Sequence, residues 1–146
     1  SALLLSGRLF AADEPAIDAA KYPQDAPAKA LGSIIKALTG GDFAYYAAWM
    51  LIPADKERIL KTHETLTKFA ESRKTPERAQ KIRAQTELMK KLLEENKVTE
   101  GESGDVKWAR FEFGVQTLQL EKQTDGRWVM NSNVIKKNAP KPEEKK

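Results

Sequence analysis

The stretch DVKWARFEFGVQTLQLEKQTDGRWVMNSNV, residues 105–134, decides the fold. It reads as three antiparallel strands joined by two tight turns. A two-residue Gly114-Val115 loop pairs Phe111 with Leu118 and Ala109 with Leu120. Phe113, Phe111, Ala109, Leu118 and Leu120 then share one face, and Trp108, Arg110, Glu112, Thr117, Gln119 and Glu121 share the other. The second turn tests the first. A two-residue Asp125-Gly126 loop opposes Leu120 to Asn131 and scrambles the faces. A three-residue loop, Thr124-Asp125-Gly126 with Gly126 left-handed, opposes Leu120 to Met130 and Lys122 to Trp128. Because a one-residue slip turns every side chain over, the three-residue form is the consistent one. Burying Phe111, Phe113, Leu118, Leu120, Trp128 and Met130 together is worth on the order of 10–18 kcal/mol before entropy is subtracted. A wall must cover that face, and the chain upstream has to supply it.

Upstream, apolar residues recur at helical spacing. Leu31, Ile34, Ile35 and Leu38 make one stripe, and Gly40-Gly41 ends that helix. Asp42 stands at the N-cap of a short helix, Phe43 to Leu51, that Pro53 stops. Its aromatic residues point all round, so more than one side should be covered. A helix from about Ala54 to Ser72 places Ile59, His63, Leu66 and Phe69 on one side. Thr75-Pro76-Glu77 then opens a long helix to about Asn96 with Ala79, Ile82, Met89, Leu92 and Leu93 inward. Val98 to Glu100 reads as the start of a first strand or as a lead-in, with a turn at Glu102-Ser103-Gly104. The expected class is therefore α+β: N-terminal helices on a curved antiparallel sheet, strands mainly in the C-terminal third.

Composition narrows function by exclusion. The 146 residues suit one domain, with 25 basic and 21 acidic residues. Basic residues are spread along helices and tail, so no nucleic-acid partner is expected. There is no cysteine and one histidine, His63, and no carboxylate pair has ligand spacing, so neither a metal nor a cofactor is expected. No apolar run approaches the ~20 residues of a transmembrane segment.

The domain organisation reads as residues 1–27 signal remnant and linker, 28–135 a single cone-like domain, and 136–146 a charged, proline-containing tail expected to be disordered. Leu3 to Leu5, Leu9 and Phe10, then Ala11 and Ala12, resemble the back half of a secretory signal, which implies export to the periplasm or outside the cell. The alternative is a mature arm whose leucines dock on the domain. Asp13 to Lys29, with Pro15, Pro23 and Pro27, is a linker or an ordered loop.

Three motifs in order, Ala30 to Phe43, Gly104 to Trp108, and Leu118 to Trp128 ending in Asp-Gly-Arg-Trp, resemble the nuclear-transport-factor-like (cystatin-like) α+β cone superfamily, near exported bacterial domains of unassigned function. The departure is the long charged helical section Asp55 to Asn96. The resemblance implies a site at the mouth of the cone, between sheet and helices, where enzymes of the superfamily place an Asp, His or Tyr for proton transfer. That fold hosts enzymes, ligand binders and interaction modules alike.

Candidate residues follow. Tyr45, Tyr46, Trp49, His63 and Trp128 are ligand-pocket candidates, and His63 with Tyr46 is the catalytic alternative. Trp108, Arg110 and Glu112 on the second sheet face suggest a protein contact or homodimer surface; the other reading is a cross-strand Arg110–Gln119 pair with Trp108 lying over it. The expected function is an exported, non-enzymatic domain binding a protein or a small apolar ligand. The alternative is a small-molecule enzyme using general acid/base residues in the cone.

Overall fold

The structure, a computed structural model, describes residues 13–132. The signal-like stretch 1–12 and the tail 136–146 lie outside them. Five helices precede four strands: α1 (Pro27–Gly40), α2 (Phe43–Trp49), α3 (Pro53–His63), α4 (Leu66–Ser72), α5 (Pro76–Glu95), β1 (Val98–Ser103), β2 (Val106–Phe113), β3 (Gln116–Lys122) and β4 (Trp128–Asn131). The strands form one antiparallel sheet in the order β1-β2-β3-β4. This is the α+β arrangement expected.

Both tested registers hold. Phe111 opposes Leu118, Leu120 opposes Met130, and Lys122 opposes Trp128. The three-residue loop closes with the Gln123 N–H donating to Arg127 O (2.7 Å) and the Gly126 N–H to Gln123 O (2.9 Å). Gly126 sits at φ +94°, where a side chain would be strained. Five of the six large side chains on the inner face are buried. Phe113 is 37% exposed, because it pairs with Gln116 as the last rung before the turn.

The helices meet that face as their stripes require. Leu31 and Ile34 of α1 and Met89 and Leu92 of α5 are buried in one cluster with Phe111, Leu118, Leu120 and Met130. Gly41 closes α1 in the left-handed region at φ +79°. Thr75 caps α5 through its side chain, which accepts from the Arg78 N–H, with Pro76 in the first turn.

Asp42 stands at the N-cap of α2 as expected, but its side chain makes no cap bond; Oδ2 accepts instead from the Tyr22 hydroxyl at 2.8 Å. Other expectations need correction. The helix expected over 54–72 is two helices. Glu64 takes a positive φ (+74°), Thr65 is extended, and its hydroxyl accepts from the Lys68 N–H. The Asp13 carboxylate takes the Leu66 and Thr67 N–H groups (3.3 and 2.5 Å), so the new helix start is satisfied from outside. His63 consequently ends one helix and Leu66 begins the next, rather than sharing a stripe. Lastly, of the two readings for Val98 to Glu100 the strand holds, but it runs on to Ser103, paired with β2 from Val98↔Phe111 to Ser103↔Val106, so the turn is Gly104-Asp105 instead of Glu102-Ser103-Gly104.

The proline-bearing segment before α1 is ordered and covers the outer edge of β4. The Trp128 N–H donates to Gln24 O, and the buried Gln24 amide donates to the Trp49 and Trp128 carbonyls. Further along, the Met130 N–H donates to Met50 O and the Ile52 N–H to Met130 O, a parallel bridge centred on Leu51. Two short pieces of extended chain thus satisfy an edge that would otherwise be open.

Candidate functional site

Successive residues of a helix point about 100° apart, so the aromatic run of α2 is dealt out to different sides. Phe43 and Tyr46, three apart, face α3, α4 and α5. Tyr45 and Trp49, four apart, face the N-terminal segment. The first pair borders a cavity of about 430 Å³. Its apolar walls include Leu38, Leu51, Ile59, Phe69 and Ile82. Its polar lining is Tyr46, Asp55, Arg58, Thr62, His63, Arg73, Gln85 and Ser132. Among the described residues no strand contributes to the lining, only Ser132 just past β4, so this cavity lies among the helices and not at the sheet–helix mouth that the cone resemblance implies.

Asp55 stands in the first turn of α3 and is 2% exposed. Its Oδ2 accepts from the Ser132 N–H (3.1 Å) and hydroxyl (2.8 Å), and its Oδ1 pairs with the Arg58 guanidinium. The pair ties α3 to the end of the sheet. Arg73 follows α4, its guanidinium 4.7 Å over the Phe69 ring, with Nε donating to Ser72 Oγ (3.2 Å). Among the described residues it has no carboxylate partner. Burial, and then the nearby Arg78, lower its proton affinity from the ordinary arginine value, against the favourable influence of Tyr46. An arginine so placed keeps its charge.

Tyr46 is the other half of the polar lining. Burial first, then the Asp55 charge, push its phenol well above the ordinary tyrosine value, with Arg73 opposing. The hydroxyl therefore holds its proton and can donate it. It is not sealed in the interior without a partner, so it opens on the cavity. The His63 ring meets the Phe69 edge at 5.4 Å and 73°.

The remaining candidates are elsewhere. The Tyr45 hydroxyl accepts from the Asp18 N–H (2.9 Å), and its ring lies 4.6 Å from Tyr22. Trp49 donates to Pro15 O (2.9 Å) between Arg127 and Lys56, along a separate groove of about 380 Å³. Trp128 is part of the buried sheet face. The structure thus brings Tyr46 and His63 together and sends Tyr45, Trp49 and Trp128 to other places.

On the outer sheet face the cross-strand arrangement is realised. Arg110 Nε donates to Gln119 Oε1 (2.6 Å), Gln119 donates on to Glu121, and so does Asn131. The Arg110 guanidinium lies 4.3 Å over the Trp108 ring, and Trp108 Nε1 donates to Ser103 Oγ (3.1 Å). Glu112 is exposed and lies outside this ladder.

Sequence reasoning passed over Asp55, Arg58 and Arg73. Arg73 lies in Ser-Arg-Lys before Thr75, a run that looks like a solvated helix end. No local signal marks Asp55, whose burial depends on Ser132. Among the described residues no cluster of His, Cys, Asp or Glu could hold a metal ion, and no helix is long and apolar enough to cross a membrane. No protein-family model, curated protein or solved structure matches the chain.

Proposed function

We propose that this chain is an exported, non-enzymatic binding domain of the nuclear-transport-factor-like cone superfamily, and that the cavity between α2, α3, α4 and α5 takes a small, largely apolar ligand. The observation that carries the reading is the convergence of the Tyr46 hydroxyl, His63 and Arg73 on one cavity of about 430 Å³ walled by Leu38, Ile59, Phe69 and Ile82. Small-ligand sites have this size, and here apolar walls alternate with a lining that is as much polar as apolar. Support for export comes from the signal-like pattern of residues 1–12, and support for the superfamily from helices preceding a sheet that ends in the Asp125-Gly126-Arg127-Trp128 hairpin. The test is an environment-sensitive apolar dye titrated into the protein and into Thr62→Trp, which fills the cavity. Binding should be lost in the variant while its circular dichroism is kept. Equal binding by both proteins places the dye elsewhere and removes the reading.

A second reading is general acid/base catalysis, favoured by His63 and the protonated Tyr46 lining the same cavity. Tyr46 acts as the acid and His63 as the base. Deuterium uptake by a small cyclic ketone in heavy water should then be faster with the wild-type protein than with His63→Gln. Equal rates exclude it.

A further inference from the structure

Among the described residues around the cavity, the charges do not cancel. Two arginines, Arg58 and Arg73, face one carboxylate, Asp55. Asp55 is held by Arg58 and Ser132, so its charge is locally answered. Arg73 is left as a half-buried cation with an aromatic ring beneath it and no carboxylate opposite it among the described residues. Next to it stands a phenol that keeps its proton. A cation and a neutral O–H donor, both lining one concave space with apolar walls on one side, form a receptor for an acceptor that is itself charged.

The surface outside the cavity points the same way. A second groove, of about 460 Å³, shares Leu38, Phe43, Arg73 and Ile82 with the first. Among the described residues its rim carries Lys74, Arg83, Glu87 and Lys90; Lys74 pairs with Glu71 (3.7 Å) and Lys90 with Glu87 (3.4 Å), which leaves Arg83 beside Arg73 as the net positive charge. Arg73 is therefore the point where a net-positive groove meets the cavity. An excess of positive charge along a cleft favours an anion at its mouth.

We infer that the ligand of this cavity is an amphiphilic organic anion, its acidic head against Arg73 and Tyr46 and its apolar body against Ile59, Phe69 and Ile82. This deepens the ligand-binding reading above and rests on it. Arg73 and Tyr46 act as head-group ligands. Thr62 and Gln85 border the same space and supply neutral polar contacts.

Three probes of one chain length separate the two ideas: octanoate, 1-octanol and octylamine, titrated calorimetrically into the full chain. Octanoate should bind about tenfold more tightly than octanol, the usual effect of one charge-assisted hydrogen bond, and octylamine most weakly. Arg73→Met should bring octanoate to the level of octanol and leave octanol unchanged, while Arg73→Lys retains part of the preference. Tyr46→Phe should weaken octanoate and spare octanol. Octanol binding as well as octanoate in the wild-type protein overturns the anion assignment and leaves the apolar cavity standing. An octanoate affinity indifferent to Arg73→Met overturns it equally. Failure of all three probes overturns the ligand-binding reading beneath it.

Discussion

Replacing Gly101 by alanine puts a methyl group into the space that the Trp108 ring already fills. The two residues are directly opposite across β1 and β2. A Cβ at position 101 would lie 2.7 and 2.8 Å from two ring carbons of Trp108 and closer still to a third. The ring has to leave. It then gives up the Arg110 guanidinium above it and the hydrogen bond to Ser103. An exposed cation–π contact is worth about 0.5–1 kcal/mol, and a neutral hydrogen bond a further ~0.5–1.5 kcal/mol. Alanine in a strand recovers about 0.5–1 kcal/mol of backbone entropy relative to glycine. The net expectation is destabilisation by about 1 kcal/mol. In a Trp108→Ala background the clash is gone, so the same substitution should stabilise by about 0.5–1 kcal/mol. The sign reversal is the signature. Urea unfolding of the four proteins in the cycle, followed by far-ultraviolet circular dichroism, measures it. A coupling energy within the ~0.5 kcal/mol expected of independent sites refutes the packing argument for β1.

Asp55→Ala should cost about 2–4 kcal/mol in urea unfolding, because it strands the Ser132 N–H and hydroxyl and leaves Arg58 unanswered; Ser132→Ala should cost less, since the main-chain donor survives. At high pH the Tyr22 phenol matters: burial first, and its hydrogen bond to Asp42, push it up to about 12. Stability from this group is complete below the unfolded value near 10 and is lost as pH rises through 12, so Tyr22→Phe should flatten the fall in melting temperature between pH 10 and 12. At low pH the Asp13 carboxyl acts in the opposite sense. The Thr67 side chain foremost, and the Leu66 and Thr67 N–H groups, hold it below its ordinary value, so its contribution is present above that value and disappears as pH falls through the lower folded one. Asp13→Asn should reduce acid sensitivity below pH ~4, and an unchanged acid transition would contradict that role.

The hairpins were legible because their information is local. Thr124-Asp125-Gly126 can be joined to Leu120 and Met130 in only one register that keeps apolar residues on one face, and the structure uses that register. Thr75-Pro76-Glu77 is local in the same sense, with capping residue, first-turn proline and first-turn acid within three positions. β1 was only partly legible. Its sequence, VTEGES, is exposed along most of its length and so has no alternation to read; the ladder to β2 and the Trp108 ring over Gly101 hold it. The break at Glu64 was hidden because half of its compensation comes from Asp13, more than fifty residues earlier. Of the candidate cavity, Tyr46 and His63 could be nominated by residue type. Asp55 and Arg73 could not, since a charged residue on a helix looks solvated until distant chain closes over it.

The covered edge of β4 has a consequence for the order in which the chain can assemble. Trp128 is bonded to Gln24, and Met130 to Met50 and Ile52, so β4 docks beside two segments synthesised far earlier. Each such contact closes a loop of most of the domain's length, an entropic cost met before the contact exists. The five helices leave the ribosome with their inward stripes uncovered, and the sheet that covers them arrives last. Folding should therefore wait on β4 and be slow for a chain of this helix content, with no stable half-domain on the way. A fragment ending before Trp128 would keep its helices only as a loosely packed, dye-binding collapse, and adding β4 would be the step that makes the interior dry.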